Sequence, residues 1–263
     1  MKVILITGAA SGLGWAMAKR WFDAGHSLVM ADVNEALLKQ REEELNAPTR
    51  VLTVTADITS ADDIQRLIQA TSQRFGRLDR LVNNAGITHR SPAHQTDPAV
   101  FRKVMAVDWQ GPVELTMAAL PLLRASEGEI LCIGSMAGWM PVLGRAGYCS
   151  AKSALSQFFE VLRGEVAQYG VHILMVYPSF LDTPIETNAL GHDGQPAAHP
   201  RSMVGAMQTP EWMAERVFEA YYRKKKRLFP DRFTWFASLL WRLAPDFYQR
   251  MMVRKFASEL EPH

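Results

Sequence analysis

Tyr148-Cys149-Ser150-Ala151-Lys152 holds a phenol and an ammonium four residues apart, with neither Pro nor Gly between them. On a helix this spacing puts both side chains on one face, with Cβ atoms roughly 6 Å apart. An unperturbed tyrosine titrates near ~10, and a Lys⁺ fixed beside it favours the phenolate, drawing the phenol towards acid/base work at neutral pH. The same pair covers many ordinary helix surfaces, so the chemistry needs a cofactor site and a substrate anchor elsewhere in the chain. The turn Gly8-Ala9-Ala10-Ser11-Gly12-Leu13-Gly14, between an apolar run at 3–7 and a helical pattern at 15–24, offers the first. Glycine lets backbone approach a ligand, and a helix start presents unpaired N–H groups to a phosphate.

Asp32 ends the next apolar run, some twenty residues beyond the glycines. A carboxylate there bonds an adenosine ribose 2′-OH and repels a 2′-phosphate, so NAD is expected over NADP; neither Ser11 nor Val33 supplies a cation for the phosphate. Its alternative use is as the N-cap of a helix at 34–45. Asp57, with Ile58, follows a third strand at 50–55, where the carboxylate binds an adenine amino group or caps the helix at 61–75. Asn83-Asn84-Ala85-Gly86 follows a fourth strand at 78–82, with residues small enough to pass beneath a cofactor. Ser135 ends a fifth strand at 129–134, and its hydroxyl either bonds a substrate oxygen or caps the next turn.

These positions require an α/β fold. Alternating apolar runs and helical patterns build a doubly wound, mostly parallel Rossmann-like sheet with helices on both faces, whose ligand crevice lies at the carboxyl ends of the strands. A long helix at 98–124 is expected to bend at Gly111-Pro112, and the helix carrying Tyr148 to run on to 169. A sixth strand at 171–177 leads into Pro178-Ser179-Phe180-Leu181-Asp182-Thr183. The region of about 184–210 then reads as a substrate lid. Trp139, Met140, Phe180, Met203 and Met207 are expected to form an apolar pocket, with His89 a candidate for its polar side. A helix at 210–222 and a basic run, Arg223-Lys224-Lys225-Lys226-Arg227, lead to an edge strand at Leu228-Phe229, so 1–230 is the catalytic domain and 231–263 its helical extension.

In that extension, Phe233, Trp235, Phe236, Trp241, Phe247, Tyr248 and Phe256 are interleaved with Arg250, Arg254 and Lys255. This pattern suits a helix at a membrane interface or over a greasy substrate entrance, and equally packing within the domain or at a subunit contact, and is too short to span a bilayer. With 263 residues, 48% hydrophobic and 21% charged, the chain suits one sizeable domain, and a net charge of +2 argues against nucleic acid. Cys132 and Cys149 are the only cysteines; they give neither a disulfide framework nor metal-ligand spacing, and no metal is expected. A cytoplasmic protein is expected, with peripheral contact at the inner face of a membrane through 231–256.

Thr7-Gly8-x-x-x-Gly12-x-Gly14, Asn83-Asn84-Ala85-Gly86, Ser135 and Tyr148-x-x-x-Lys152 stand in the order and rough spacing of the short-chain dehydrogenase/reductase family. The chain resembles its compact single-domain subclass over residues 2–183. The resemblance implies hydride transfer between NAD(H) and a secondary alcohol or ketone, here a lipophilic one. Tyr148 would exchange the hydroxyl proton, Ser135 would hold the substrate oxygen, and Lys152 would lower the Tyr148 pKa while bonding the nicotinamide ribose. Gly8, Ser11, Gly12, Leu13 and Gly14 match the pyrophosphate turn, Asp57 and Ile58 the adenine site, and Asn84, Ala85 and Gly86 the cleft floor. Leu181 and Thr183 match contacts to the carboxamide and phosphates, with Pro178 also expected at the cofactor; Trp139 and Phe180, from their nearness in sequence, are expected beside the substrate. A homodimer or homotetramer is also implied. Two positions depart from the pattern: Ser179 replaces the glycine that usually follows the proline, and Asp108 replaces an asparagine that supports a proton-relay water. An added carboxylate raises the lysine pKa and alters the relay. Asp108 is thus the best support for an alternative, an NAD-binding interaction or redox-sensing module with impaired chemistry.

Overall fold

The computed structural model describes residues 1–197, 207–230 and 232–255, without the side chains of Phe233 and Thr234. Seven parallel strands form one sheet in the order β3-β2-β1-β4-β5-β6-β7. They are β1 (Val3–Thr7), β2 (Ser27–Asp32), β3 (Val51–Thr55), β4 (Arg80–Asn83), β5 (Glu129–Ile133), β6 (His172–Val176) and the short edge strand β7 (Arg227–Leu228). Every residue of β1 is buried because both faces of the sheet are covered. Val3 and Leu5 join a core packed by α3 (Ala61–Phe75), α5 (Gly111–Ala125) and α6 (Ala146–Val166). Ile4 and Ile6 join the opposite core with α1 (Gly12–Asp23), α2 (Glu35–Leu45) and α8 (Pro210–Tyr222). This is the doubly wound arrangement that the alternating runs require.

The helix starts follow from side-chain caps. Asn34 accepts a hydrogen bond from the Leu37 N–H, and Ser60 accepts one from that of Asp63, each satisfying an otherwise orphaned donor. The cap of α2 is therefore Asn34, not Asp32. Helix α1 starts at Gly12, earlier than its periodicity suggests, and Ser11 caps it without spending its hydroxyl on the helix.

The long helix expected before β5 is two helices, α4 (Pro98–Met105) and α5, joined without a break by a π-helical turn at Ala106–Gln110. The irregularity thus precedes Gly111-Pro112. Gly111 itself answers a packing demand: a Cβ there would stand 2.6 Å from the Ile58 carbonyl oxygen.

Within the described part of the lid region is α7 (Pro184–Thr187), and Leu190 pairs with the loop after β4: its N–H donates to the Thr88 carbonyl at 2.9 Å, and its carbonyl accepts from Arg90 N–H at 2.7 Å. The basic run sits at the amino ends of the strands, where Lys224 pairs with Glu129 at 3.8 Å and Arg227 bonds Glu160. Beyond it come α9 (Arg232–Leu243) and α10 (Pro245–Lys255).

Gly14 shows how tightly the first turn is built. An added Cβ would lie 2.0 Å from the Gly8 carbonyl oxygen and 2.6 Å from Asn84 Nδ2, so backbone must move to admit it. Gly14→Ala is expected to destabilise the protein by about 3 kcal/mol, read as a lowered urea midpoint at unchanged slope; a wild-type midpoint would show that the turn is free to shift.

Candidate active site

The carboxyl end of β5 delivers Ser135, and the first turns of α6 deliver Tyr148 and Lys152. Ser135 Oγ accepts the Ala137 N–H at 3.1 Å, capping the turn, and its hydroxyl acts to lower the Tyr148 pKa. The capping reading of the serine is met, and a hydroxyl that accepts one bond can still donate another. Lys152 is 4% exposed; its Nζ donates to the Ile133 carbonyl at 3.2 Å and lies 5.7 Å from the centre of the Tyr148 ring. Gly86 completes this floor, since a Cβ on it would stand 3.4 Å from both Lys152 Nζ and Asp108 Oδ1.

Asp108 lies in the π-helical turn and is fully buried. Its Oδ1 accepts the Ile87 N–H at 2.8 Å, and its Oδ2 forms an ion pair with Lys152 Nζ at 3.3 Å. Burial raises the Asp108 pKa, with Lys152 and the Ile87 N–H opposing it. For Lys152 burial acts downward, but the carboxylate of Asp108, then Tyr148, outweigh it and the pKa is raised. Tyr148 differs from the sequence expectation: burial raises its pKa, Lys152 pulls it down without winning, and Asp108 pushes it further up. The lysine's charge is thus shared between a carboxylate and the phenol, and in this state the phenol stays protonated at neutral pH.

On the other side of the cleft, Thr7 Oγ1 accepts the N–H groups of Asn84 and Ala85, each at 3.0 Å, while Asn84 Nδ2 donates to the carbonyls of Thr7 and Gly8 at 2.9 and 3.2 Å. The glycine turn and the Asn84-Ala85-Gly86 segment are therefore one braced unit. Thr183 closes on it, 3.3 Å from where a Cβ of Gly12 would be, and the Pro178 carbonyl accepts the Met136 N–H at 3.2 Å. Leu181 packs against the core on the α1 side. Asp32 accepts the Ala10 N–H on one oxygen and the Asn34 N–H on the other, both at 3.0 Å. Asp57 is exposed and accepts from Thr59 N–H and Oγ1 at 2.8 Å, while Ile58 turns its side chain into the core.

Arg41 was invisible in the sequence as a neighbour of this turn. Its Nε donates to the Ala10 carbonyl at 3.0 Å, its guanidinium lies 4.8 Å from the Trp15 ring centre, and Glu44 balances its charge at 2.6 Å. Ser11 and Val33 supply no cation to the turn, and the packing of α2 across it brings Arg41 to the Ala10 carbonyl.

Around the expected substrate side, His89 is fully buried and its Nε2 accepts the Gly147 N–H at 2.9 Å, steadying the turn that carries Tyr148. Burial, then Arg145, depress its pKa to about 4, so at neutral pH it remains the acceptor this bond needs. It is a structural brace of α6 rather than a pocket residue. Arg90 and Arg145 both donate to Glu186 Oε2 at 3.1 Å, tying α7 to the loop after β4 and the start of α6. Trp139 is held in an aromatic cluster, 5.0 Å from Tyr177 and 5.1 Å from Phe229, with the Arg242 guanidinium 3.8 Å from its ring. Phe180 is half-buried, and its carbonyl accepts the Gln208 N–H at 3.0 Å. Met140 packs between the core and the C-terminal helices, Met207 is exposed, and Met203 lies outside the described residues.

An open parallel sheet with a braced glycine turn, facing a Ser-Tyr-Lys cluster across its carboxyl edge, defines a dinucleotide-type oxidoreductase scaffold. A family model described as short chain dehydrogenase matches residues 2–193. Dehydrogenase/reductase SDR family member 7B of Bos taurus is 32% identical over 266 residues, covering 98% of this chain and 82% of that protein. 11-beta-hydroxysteroid dehydrogenase A of Sesamum indicum is 36% identical over 198 residues, covering 74% and 56%. The solved structure of 3-ketoacyl-(acyl-carrier-protein) reductase from Brucella melitensis complexed with NADH superposes with a TM-score of 0.73 at 26% identity, covering 83% of this chain and 90% of that one. The chain belongs to the short-chain dehydrogenase/reductase family, and is an oxidoreductase of that family.

Asp108 raises the pKa of both Lys152 and Tyr148. Replacing it with asparagine removes the negative charge opposing ionisation of the phenol, so the phenolate forms at lower pH. For Asp108→Asn the pH of half-maximal kcat/KM in alcohol oxidation is expected to fall by about one unit; a superimposable profile would show that the carboxylate does not act on the phenol.

Proposed function

We propose that the protein transfers hydride between NAD(H) and a lipophilic secondary alcohol or ketone. The observation that carries the reading is the buried Lys152, its Nζ 5.7 Å from the centre of the Tyr148 ring, with Ser135 beside them at the carboxyl edge of the sheet. A substrate oxygen placed between the two hydroxyls would accept one bond from Ser135 and exchange its proton with Tyr148. Lys152, steadied by Asp108 and the Ile133 carbonyl, supplies the positive charge that limits the cost of forming phenolate. When bound, a nicotinamide dinucleotide supplies the hydride chemistry.

The braced turn fits such a cofactor. Gly8, Ser11, Gly12, Leu13 and Gly14 would meet the pyrophosphate, with the unspent Ser11 hydroxyl and the α1 N–H groups as donors. Asp32 would take the ribose, Asp57 and the Ile58 backbone the adenine, and Asn84, Ala85 and Gly86 the floor, while Pro178, Leu181 and Thr183 cover the nicotinamide half. Asp32 favours NAD over NADP. Arg41 does not reverse that preference while Glu44 balances its charge. Phe180, Met140 and the named steroid dehydrogenase relative support a lipophilic substrate, and assembly as a homodimer or homotetramer accords with the family.

Tyr148→Phe is expected to lower kcat by about 100-fold or more across a panel of lipophilic secondary alcohols, followed as NADH formation. Equal rates would end the catalytic assignment and leave an NAD-binding module with impaired chemistry. In fluorescence titrations wild type should bind NADH more tightly than NADPH, and Asp32→Ala should narrow that ratio by about tenfold; a wild type preferring NADPH would overturn the cofactor reading.

A further inference from the structure

Helices α9 and α10 form a hairpin with two unlike faces. On the inner face Tyr248 and Met252 are buried with Leu240 and Trp241 against Met140 and Leu143, and the Tyr248 hydroxyl donates to the Pro141 carbonyl at 3.2 Å. On the outer face Trp235, Phe236, Leu239 and Leu243 stand exposed along α9, with Phe236 59% and Leu243 76% accessible. Phe247, 55% accessible, and Met251 extend the stripe along α10 at a spacing of one turn. Arg250, Arg254 and Lys255 flank them, and Phe247, Met251 and these three cations together line a groove. Between 232 and 255 the sequence carries Arg232, Arg242, Arg250, Arg254 and Lys255 against Asp246 alone. The described exposed apolar side chains elsewhere, such as Val33, Met117 and Val161, are scattered over different elements.

We infer that this outer face docks on an anionic lipid bilayer, with the apolar stripe at the boundary of headgroups and acyl chains and the Arg250-Arg254-Lys255 cluster on lipid phosphates. A contiguous apolar face of this kind marks an interaction site, and aromatic and leucine side chains rimmed by Arg and Lys fit an interfacial helix. Charge decides against a second copy of the chain as the occupant. A twofold contact sets the same patch against itself, and this patch offers Arg250, Arg254 and Lys255, with Asp246 the one carboxylate between 232 and 255 to meet them. Among the described residues no helix is long and apolar enough to cross a membrane, so the attachment is peripheral.

The inner face gives the docking a consequence. It grips residues 139–143, the stretch between Ser135 and α6, so the hairpin's orientation at a bilayer sets that of the loop beside the proposed reaction site. A lipophilic substrate would then reach Ser135 from the lipid phase. This last step rests on the proposed alcohol/ketone activity; the docking does not.

The test is co-sedimentation of the whole protein with vesicles of phosphatidylcholine alone and of roughly 7:3 phosphatidylcholine to phosphatidylserine. Wild type should pellet with the mixed vesicles, and about 1 M salt should release much of it. Phe236→Glu with Leu243→Glu, and separately Arg250→Glu with Arg254→Glu, should each lower the bound fraction about fivefold or more. Both variants should keep the wild-type urea midpoint and slope, which shows that the fold survives. Wild type remaining in the supernatant with both vesicles would overturn the docking. So would a wild-type dimer, seen by sedimentation velocity, that becomes monomeric in the Phe236→Glu/Leu243→Glu variant without either protein binding vesicles, because the hairpin would then join two copies. Vesicle binding with no hydride transfer to any alcohol would keep the docking and remove only the substrate route.

Discussion

An ammonium group taken out of water costs several kcal/mol unless the protein supplies partners, and in this molecule the supply comes from three separate elements. The Ile133 carbonyl at the end of β5, the Asp108 carboxylate in the π-helical turn and the Tyr148 ring on α6 surround Lys152. Moving Asp108 would leave the ammonium without its ion pair. The close approaches at Gly86 and at Gly138, where a Cβ would lie 2.7 Å from the Lys152 carbonyl oxygen, belong to the same constraint. At position 138 the Lys152 backbone leaves no room for a side chain, whereas a Cβ at position 86 would meet the lysine and Asp108 at ordinary contact distance.

The carboxylate at position 108 changes how this cluster works. An amide would leave the lysine's charge to the phenol alone, whereas a carboxylate competes for it and repels the phenolate. The geometry that makes the competition strong is the π-helical turn, whose wider winding places Asp108 beside both Lys152 and the Ile87 N–H. Such turns often occur at functional sites, and here one side chain within it reaches the amino segment after β4 and the ammonium on α6 at once.

The region facing the substrate is held from two directions. Glu186, clasped by Arg90 and Arg145, fixes α7 against the start of α6, while the C-terminal hairpin fixes the loop at 139–143. The arginines are nearly buried, so their ion pairs escape most of the screening that weakens surface pairs. His89 adds a third brace by accepting the Gly147 N–H. The reactive tyrosine therefore sits on a helix start whose position is fixed by residues that take no part in the chemistry.

The order of strands and helices, the glycine turn, Asp32, Ser135 and the Tyr148-Lys152 pair were all legible in the sequence, because each is local: a buried strand reads as an unbroken apolar run, and a helical pair reads as a spacing. The helix at 61–75 was placed to the residue, and in the structure Ser60 caps its start and Gly76 ends it. What the sequence could not state was anything set by distance in space. The π-helical turn carries no composition signal distinct from a helix, and the approach of Arg41 to Ala10 depends on how α2 packs. Whether Lys152 or burial governs the Tyr148 pKa depends on how many partners share one ammonium. The sequence by itself determined which groups are present and in what order along the sheet edge. Only the tertiary structure decided which of them share a charge, since burial and Coulomb energy depend on separations that packing alone sets.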